Sequence, residues 1–192
     1  MNDAERLEAF WKKESEKYAA RTLPYSHPYR LEYAKLLLQL NPKKILEVGC
    51  NACQNLLAIY ALDPHVGLYG CDVAPIASLN IAQDVIIDVR EASVYSLPYP
   101  DNFADIVFTL GLLTHIPPGG VKQAASELVR ASSKYIVVRE DAEILGDGSY
   151  QGEPNAVFIH DYQALFSKCK MAYSDVSTHL GYVKRFTGVF KK

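Results

Sequence analysis

From Lys44 onward the chain alternates short apolar runs with stretches of helical periodicity, and this alternation limits the fold more than any other feature. Lys44–Val48, Gly67–Asp72, Asp84–Val89, Ala104–Leu110 and Tyr135–Val138 are rich in aliphatic and β-branched residues and read as strands. Asn55–Leu62, Ile76–Gln83 and Val121–Ser132 read as helices, the last with an apolar face at Val121, Ala124, Ala125, Leu128 and Val129. A helix between successive strands carries the chain back across the sheet, so neighbouring strands run parallel and helices cover the faces. Tyr162–Lys168 adds a helix, and Tyr173–Thr178 and Tyr182–Phe190 then follow each other through a turn near Gly181. With no helix between them, these two segments are expected to form an antiparallel hairpin at one sheet edge. The predicted fold class is α/β: a doubly wound, seven-stranded, mostly parallel sheet ending in that hairpin.

Ahead of the alternation, Leu7, Phe10, Trp11, Tyr18 and Ala19 recur at helical spacing among lysines and glutamates. Pro24 and Pro28 interrupt this pattern in the link TLPYSHPY, and a second helix is expected at about Leu31–Leu40, ending before Asn41-Pro42. This gives an N-terminal helical cap over residues 1–40 and one compact unit over residues 41–192. The segment from Asp141 to Ala156, rich in Gly, Asp and Pro, is long enough to act as a lid or binding loop.

The formal net charge of −2 argues against a nucleic-acid backbone as main partner, because such proteins usually carry a strong basic excess. Lys12, Lys13, Lys17 and Arg21, and Lys184, Arg185, Lys191 and Lys192, read as solvated surface charge. No apolar run reaches membrane-spanning length, and MNDAERLEAFWKKE lacks the apolar core of a signal peptide, so a cytoplasmic, soluble protein is expected. Composition leaves the oligomeric state open. The four cysteines include a C-x-x-C at Cys50 and Cys53. Cys71 would be a third zinc ligand, but no second C-x-x-C or His pair completes a set, and no metal is expected.

In a doubly wound sheet, ligands bind beyond the carboxyl ends of the strands. The first strand of the alternation runs into ILEVGCNACQN, with Glu47 near its end and Gly49 in the turn. Such a turn must be tight, so that backbone N–H groups and a helix N-terminus approach a ligand. Gly49 meets that need, Asn51 tolerates the left-handed region, and Cys53 is small enough for close approach. The next strand ends in Asp72, whose carboxylate can accept from both hydroxyls of a ribose or simply cap a turn.

E-x-G-x-N-x-C at Glu47–Cys53 resembles the E-x-G-x-G-x-G motif of class I S-adenosylmethionine-dependent methyltransferases, with one of the three glycines kept. The run ASVYSLPYPDNFADIVFTLGLLTHI is similar to the adenine-covering loop, the following strand and the catalytic loop of that family. FWKKESEKYAART, FTLGLLTHIPP and SKYIVVRE extend the likeness to the methylases associated with pseudaminic acid and related surface-sugar gene clusters, over about residues 10–140. The resemblance implies a Rossmann-like fold and S-adenosyl-L-methionine as cofactor. It further implies methyl transfer to O or N of a small polar acceptor, such as a sugar or sugar nucleotide. It places Tyr18 and Arg21 over the cofactor, Arg21 against its carboxylate, and Glu47, Gly49, Asn51 and Asp72 around it. Ser93 then stands where relatives reach the adenine amino group, Val94 forms an apolar wall, and Leu110 ends the strand below the site.

His115, just past that strand, is either a general base or a hydrogen-bonded residue that shapes the loop. Glu140, at the end of the strand Tyr135–Val138 and its extension, either orients an acceptor or anchors the lid, alone or paired with Arg139. Asp161 reads as a helix N-cap, Asp101 and Asp105 as turn and strand-start residues, and Tyr25, His27 and Tyr150 as candidates to line an acceptor pocket. Two rival readings are a cofactor-binding pseudoenzyme or interaction module, and a nucleic-acid or protein methyltransferase. An NAD-dependent oxidoreductase would need G-x-G-x-x-G where the chain has GCNACQ.

Overall fold

A computed structural model describes residues 2–75, 85–143, 150, 153–179 and 183–192. The helix expected at Ile76–Gln83, the turn near Gly181 and half of the loop from Asp141 to Ala156 lie outside the described residues.

Helix α1 (Asp3–Arg21) starts at a capping box in which the Asn2 side chain and the Glu5 backbone, and the Glu5 side chain and the Asn2 backbone, bond at 2.9 Å each. Helix α2 (Pro28–Leu38) begins earlier than expected. Pro28 is not an interruption but the first helical residue, where a missing N–H costs nothing, and His27 caps the turn through Nδ1, which accepts from Tyr29 N at 3.2 Å. Tyr33, Ala34 and Leu37 of α2 are buried in the same core as the sheet. Strands β1 (Lys44–Val48), β2 (Gly67–Asp72) and β4 (Ala104–Leu110) coincide with the apolar runs of the sequence. Helix α3 (Gln54–Leu62) and helix α4 (Val121–Ala131) also fall where their periodicity puts them.

Strand β3 (Ile87–Glu91) is shifted towards the C-terminus of the apolar run, because its parallel register with β2 extends from Leu68↔Ile87 to Asp72↔Glu91. Strand β5 (Ser132–Asp141) is longer at both ends than its apolar centre. Its C-terminal end is held by antiparallel pairing with β7 (Val183–Lys191), up to Asp141↔Arg185. After the short α5 (Tyr162–Leu165), β6 (Lys170–His179) pairs with β7 and ends the sheet.

The sheet has seven strands in the order β3-β2-β1-β4-β5-β7-β6, parallel except for β7 and β6, so the expected doubly wound fold with an antiparallel terminal hairpin is what the chain adopts. The chain passes from β1 outward through β2 and β3, then returns to β4 on the other side. The carboxyl ends of β1 and β4 therefore flank the switch point where a cleft opens. One core layer joins α4, α5 and one sheet face around Val107, Ile136, Leu128 and Phe190; the other joins α2, α3 and the opposite face around Ile45, Phe108, Leu56 and Tyr33. No helix among the described residues is long and apolar enough to cross a membrane.

Candidate active site

At the carboxyl ends of β1, β2 and β4 lies a cleft of about 850 Å³, counted with the solvent at its open mouth, covered by α1. Ala4, Leu7, Glu8, Trp11, Ser15 and Tyr18 line it from above, at the three- and four-residue intervals of a single helix face. The apolar spacing in the first twenty residues is thus the inner face of a roof. Arg6 fastens the roof by pairing with Glu153 and donating to Pro154 O at 3.2 Å and Asn155 O at 3.3 Å.

The β1–α3 turn forms one wall. Gly49, Asn51 and Cys53 have φ of +80°, +40° and +55°, three left-handed residues in five positions. Only the first is a glycine; Asn51 tolerates the region readily, and Cys53 does so at a conformational cost. A Cβ at Gly49 would stand 3.1 Å from Leu112 Cδ1, so the missing side chain also admits the loop after β4. The turn is drawn onto β2 by Gly49 N and Cys50 N, which donate to Cys71 O at 2.8 and 3.1 Å. Asp72 accepts from Asn51 N and from Ala74 N, both at 2.9 Å, one on each carboxylate oxygen. Each oxygen keeps a further lone pair, and Asp72 lines the cleft. Burial raises its pKa above the ordinary carboxylate value, opposed by those backbone donors. Among the described residues, Asn51 Oδ1 is buried with no hydrogen-bond partner.

Cys50 and Cys53 are buried free thiols, and Cys50 packs so tightly that a Cβ at Gly70 would lie 2.9 Å from its sulfur. The hydrogen bond with Cys53, and then burial, pushes the Cys50 thiol far above its usual pKa, so Cys50 packs as a neutral thiol.

The opposite wall comes from Leu110, Gly111, Leu112 and the 3-10 turn Leu113–His115. His115 lines the cleft and is buried. Its Nδ1 lies 2.6 Å from Ala156 O; a carbonyl can only accept, so Nδ1 carries the proton and Nε2 the lone pair. Burial lowers its pKa below 6.5. Around the ring stand Trp11 and Tyr150, with centroids 4.8 Å from that of His115 and 5.5 Å from each other, and Tyr18 lies 5.6 Å from Trp11.

Tyr18, Gly49, Asn51, Asp72, Val94, Leu110 and His115 are thus brought to one cleft. Four other residues singled out in the sequence are not on its lining. Arg21 is exposed, its Nε donating to Lys17 O at 3.0 Å. Ser93 donates its hydroxyl to Glu8 and so ties the adjacent loop to the roof. Glu47 is fully buried, accepting from Asn55 Nδ2 at 2.5 Å, with Arg30 donating to the other end of Asn55; burial raises Glu47 to a pKa of about 8.

Glu140 lies beneath the cleft floor, fully buried, and does not pair with Arg139, which faces the other side of β5. It accepts from Thr109 Oγ1 at 2.6 Å, Leu112 N at 3.3 Å and Thr114 N at 3.1 Å, and burial raises its pKa to about 7. These bonds clamp the loop that carries His115. Of the further candidates, Asp161 caps α5 by accepting from Ala164 N at 2.9 Å, and Asp105 accepts from Lys43 N at 2.7 Å and Lys44 N at 3.1 Å. Tyr25 is exposed and His27 caps α2.

Trp11, Glu8 and Tyr95 of the lining were not recognised in the sequence as site residues. The spacing of Leu7, Trp11 and Tyr18 was the available signal, and it could not tell a core face from a cleft face. Arg185, read as solvated charge, is instead mostly buried beside Asp141, with Nε 3.0 Å from Oδ1.

Residues 45–134 match the family model described as a methyltransferase domain. No curated protein sequence matches the chain significantly. Among solved structures, the chain is similar to magnesium protoporphyrin IX methyltransferase from Synechocystis PCC 6803 with bound SAH, at 12% identity and TM-score 0.71, covering 100% of both chains. It is also similar to 1,6-didemethyltoxoflavin-N1-methyltransferase from Burkholderia thailandensis, at 12% identity and TM-score 0.72, covering 97% of this chain and 87% of that one. The [4+2]-cyclase SpnF is similar too, at 15% identity and TM-score 0.65, covering 84% of this chain and 80% of that one. The chain therefore has the Rossmann-like fold on which these enzymes are built, with a methyltransferase-domain match spanning its first strand to the start of β5.

Proposed function

We propose that the protein is an S-adenosylmethionine-dependent methyltransferase acting on O or N of a small polar acceptor. The observation that carries this reading is the cleft itself: Asp72 and the Gly49–Cys53 turn on one wall, His115 on the other, under one roof. The residues suit the cofactor. Asp72 retains acceptor capacity for a ribose diol, Val94 offers an apolar wall for adenine, and the buried, unpartnered Asn51 Oδ1 calls for a donor such as an ammonium group. Gly49, Leu110 and Tyr18 complete the enclosure. When bound, the cofactor supplies a sulfonium methyl that reacts with a nucleophile without further activation.

The protein's own task is to align the acceptor, exclude water and, for a hydroxyl, remove a proton. His115 is suited to the last. Its Nε2 is unprotonated at neutral pH, and after taking a proton its cationic ring would keep the Nδ1–H bond to Ala156 O. Glu140 positions that ring through the loop and does not touch reactants. Trp11, Tyr18 and Tyr150 provide aromatic faces over which a sugar ring could stack. The resemblance to the methylases of surface-sugar clusters supports a sugar or sugar nucleotide as acceptor.

The test is incubation with S-adenosylmethionine and a polar metabolite extract, followed by mass spectrometry. A product heavier by one methylene, formed with the wild type and not with His115→Ala, is expected. Absence of any methylated product, with the cofactor still bound, would favour the pseudoenzyme instead. A [4+2]-cyclase on the same fold shows that architecture alone does not fix the reaction.

A further inference from the structure

Beyond the methyl-transfer end of the cleft, β5 and β7 bring two arginines onto one face of the sheet. Arg139 stands opposite Thr187, and Arg185 stands opposite Asp141, one pleat further on. Arg139 is only 8% exposed. Its Nε donates to Thr187 Oγ1 at 3.1 Å, and its guanidinium lies over the rings of Tyr33 at 4.4 Å and Tyr29 at 5.3 Å. Among the described residues no carboxylate pairs with it; its Nη1 is buried without a hydrogen-bond partner. Arg185 Nη1 is likewise buried and without a hydrogen-bond partner among the described residues. The contact of Arg185 with Asp141 is ionic but poorly aligned, since the facing Asp141 Oδ1 also lacks a hydrogen bond.

Asp141 and Glu140 both act on Arg185, yet each guanidinium still buries an unused donor, an arrangement that a protein does not keep cheaply. Such forks match the oxygens of carboxylate and phosphate groups. Of the two, Arg185 adjoins the cleft. A Cβ at Gly111, which lines the cleft, would stand 3.1 Å from Arg185 Nη1, with no other atom nearer than 4 Å. The bare glycine leaves that guanidinium next to the acceptor side, and Arg185 lies close enough to His115 to act on it electrostatically.

We propose that Arg139 and Arg185 form an oxyanion subsite, reached past Gly111, that holds a carboxylate or phosphate group of the methyl acceptor. The proposal rests on the methyltransferase reading for the word acceptor alone; the subsite itself stands on the two arginines. An acceptor anchored there presents its neutral part to His115 and the aromatic faces of Trp11 and Tyr150. This narrows the substrate class from small polar molecules to anionic ones, with sugar phosphates, nucleotide sugars and acidic sugars all included.

The probes are inorganic phosphate and acetate, titrated calorimetrically into the wild type, Arg139→Met and Arg185→Gln, each with and without S-adenosylhomocysteine. Saturable binding of at least one probe to the wild type is expected, weakened roughly tenfold or more in each variant by loss of a charge-assisted bond. Preference for phosphate or acetate tells which oxyanion the acceptor bears. S-adenosylhomocysteine affinity should be unchanged in both variants. Should Arg139→Met fail to fold, Arg185→Gln and Gly111→Ala, which crowds Arg185, must show the same loss. Failure of both probes to bind the wild type, or equal binding to wild type and folded variants, overturns the subsite. Arginine-dependent probe binding without S-adenosylhomocysteine binding would keep the subsite and remove the methyltransferase reading.

Discussion

The two walls of the cleft are built by different means. The β1–β2 wall is made of backbone: three left-handed residues in one turn, two N–H groups on Cys71 O and one carboxylate at the next strand end. The β4–β5 wall is held in place by buried polar side chains whose partners lie far away in the chain. His115 depends on Ala156, Glu140 clamps Leu112 and Thr114, and Arg139 and Arg185 share a sheet face only because β5 pairs with β7. A wall of local turns suits a ligand that does not change. A wall assembled from distant segments can vary with the acceptor while the first stays fixed.

If that division holds, substitutions on the two walls should separate in their effects. The largest is expected for His115→Ala, which should lower kcat by roughly 10²–10⁴ if it removes a general base, with S-adenosylhomocysteine affinity intact. The wild-type rate should also fall on the acid side as His115 protonates, with its inflection below 6.5. Equal loss of rate and cofactor affinity would erase the distinction between the walls.

Glu140→Ala comes next. Leaving Thr109 Oγ1 and two loop N–H groups without their buried acceptor should cost about 1–3 kcal/mol and lower kcat through a displaced His115. Glu140→Gln should restore part of it. A pH–rate profile with the His115 inflection moved in Glu140→Ala marks a positioning role that a purely structural loss would not give.

On the first wall, Glu47 is expected to speak through stability rather than rate. Its pKa is raised from 4.5 to about 8 by burial, so the fold favours the protonated acid. That contribution is fully present below 4.5 and is lost as pH rises through about 8. Denaturant unfolding of the wild type should therefore weaken over this range more steeply than that of Glu47→Gln. Parallel pH dependences would show that Glu47 is ionised in the fold.

The smallest effect should come from Gly49→Ala, at about 1–2 kcal/mol for a left-handed residue, with Leu112 displaced by the new Cβ. It is expected in cofactor affinity and stability, and not in the pH dependence of the rate.

The same division decides what could be read from the chain. β1, β2 and β4 are continuous apolar runs bounded by turn residues, and their ends were visible to the residue. Asp72 and Gly49 follow directly from those ends. β3 was displaced because its apolar run extends upstream of the register that β2 imposes. Pro28 looked like a break and is a helix start, since both roles use the same missing N–H. The acceptor wall was hidden for a deeper reason. That Arg139 and Arg185 share a face, or that His115 donates to Ala156, depends on strand pairing and loop return over long separations, which local pattern does not encode. The identity of His115 as a candidate was legible; its tautomer was not. Trp11 showed its helical spacing, yet periodicity marks a buried face without saying whether a core or a cleft lies beneath it.

The central claim is that the cleft under α1 holds the cofactor against Asp72, and calorimetric titration of S-adenosylhomocysteine into the wild type and Asp72→Ala tests it most directly. Saturable one-to-one binding at micromolar concentration, abolished in a folded Asp72→Ala, is the predicted result. No binding to the wild type, or wild-type affinity in Asp72→Ala, would contradict it.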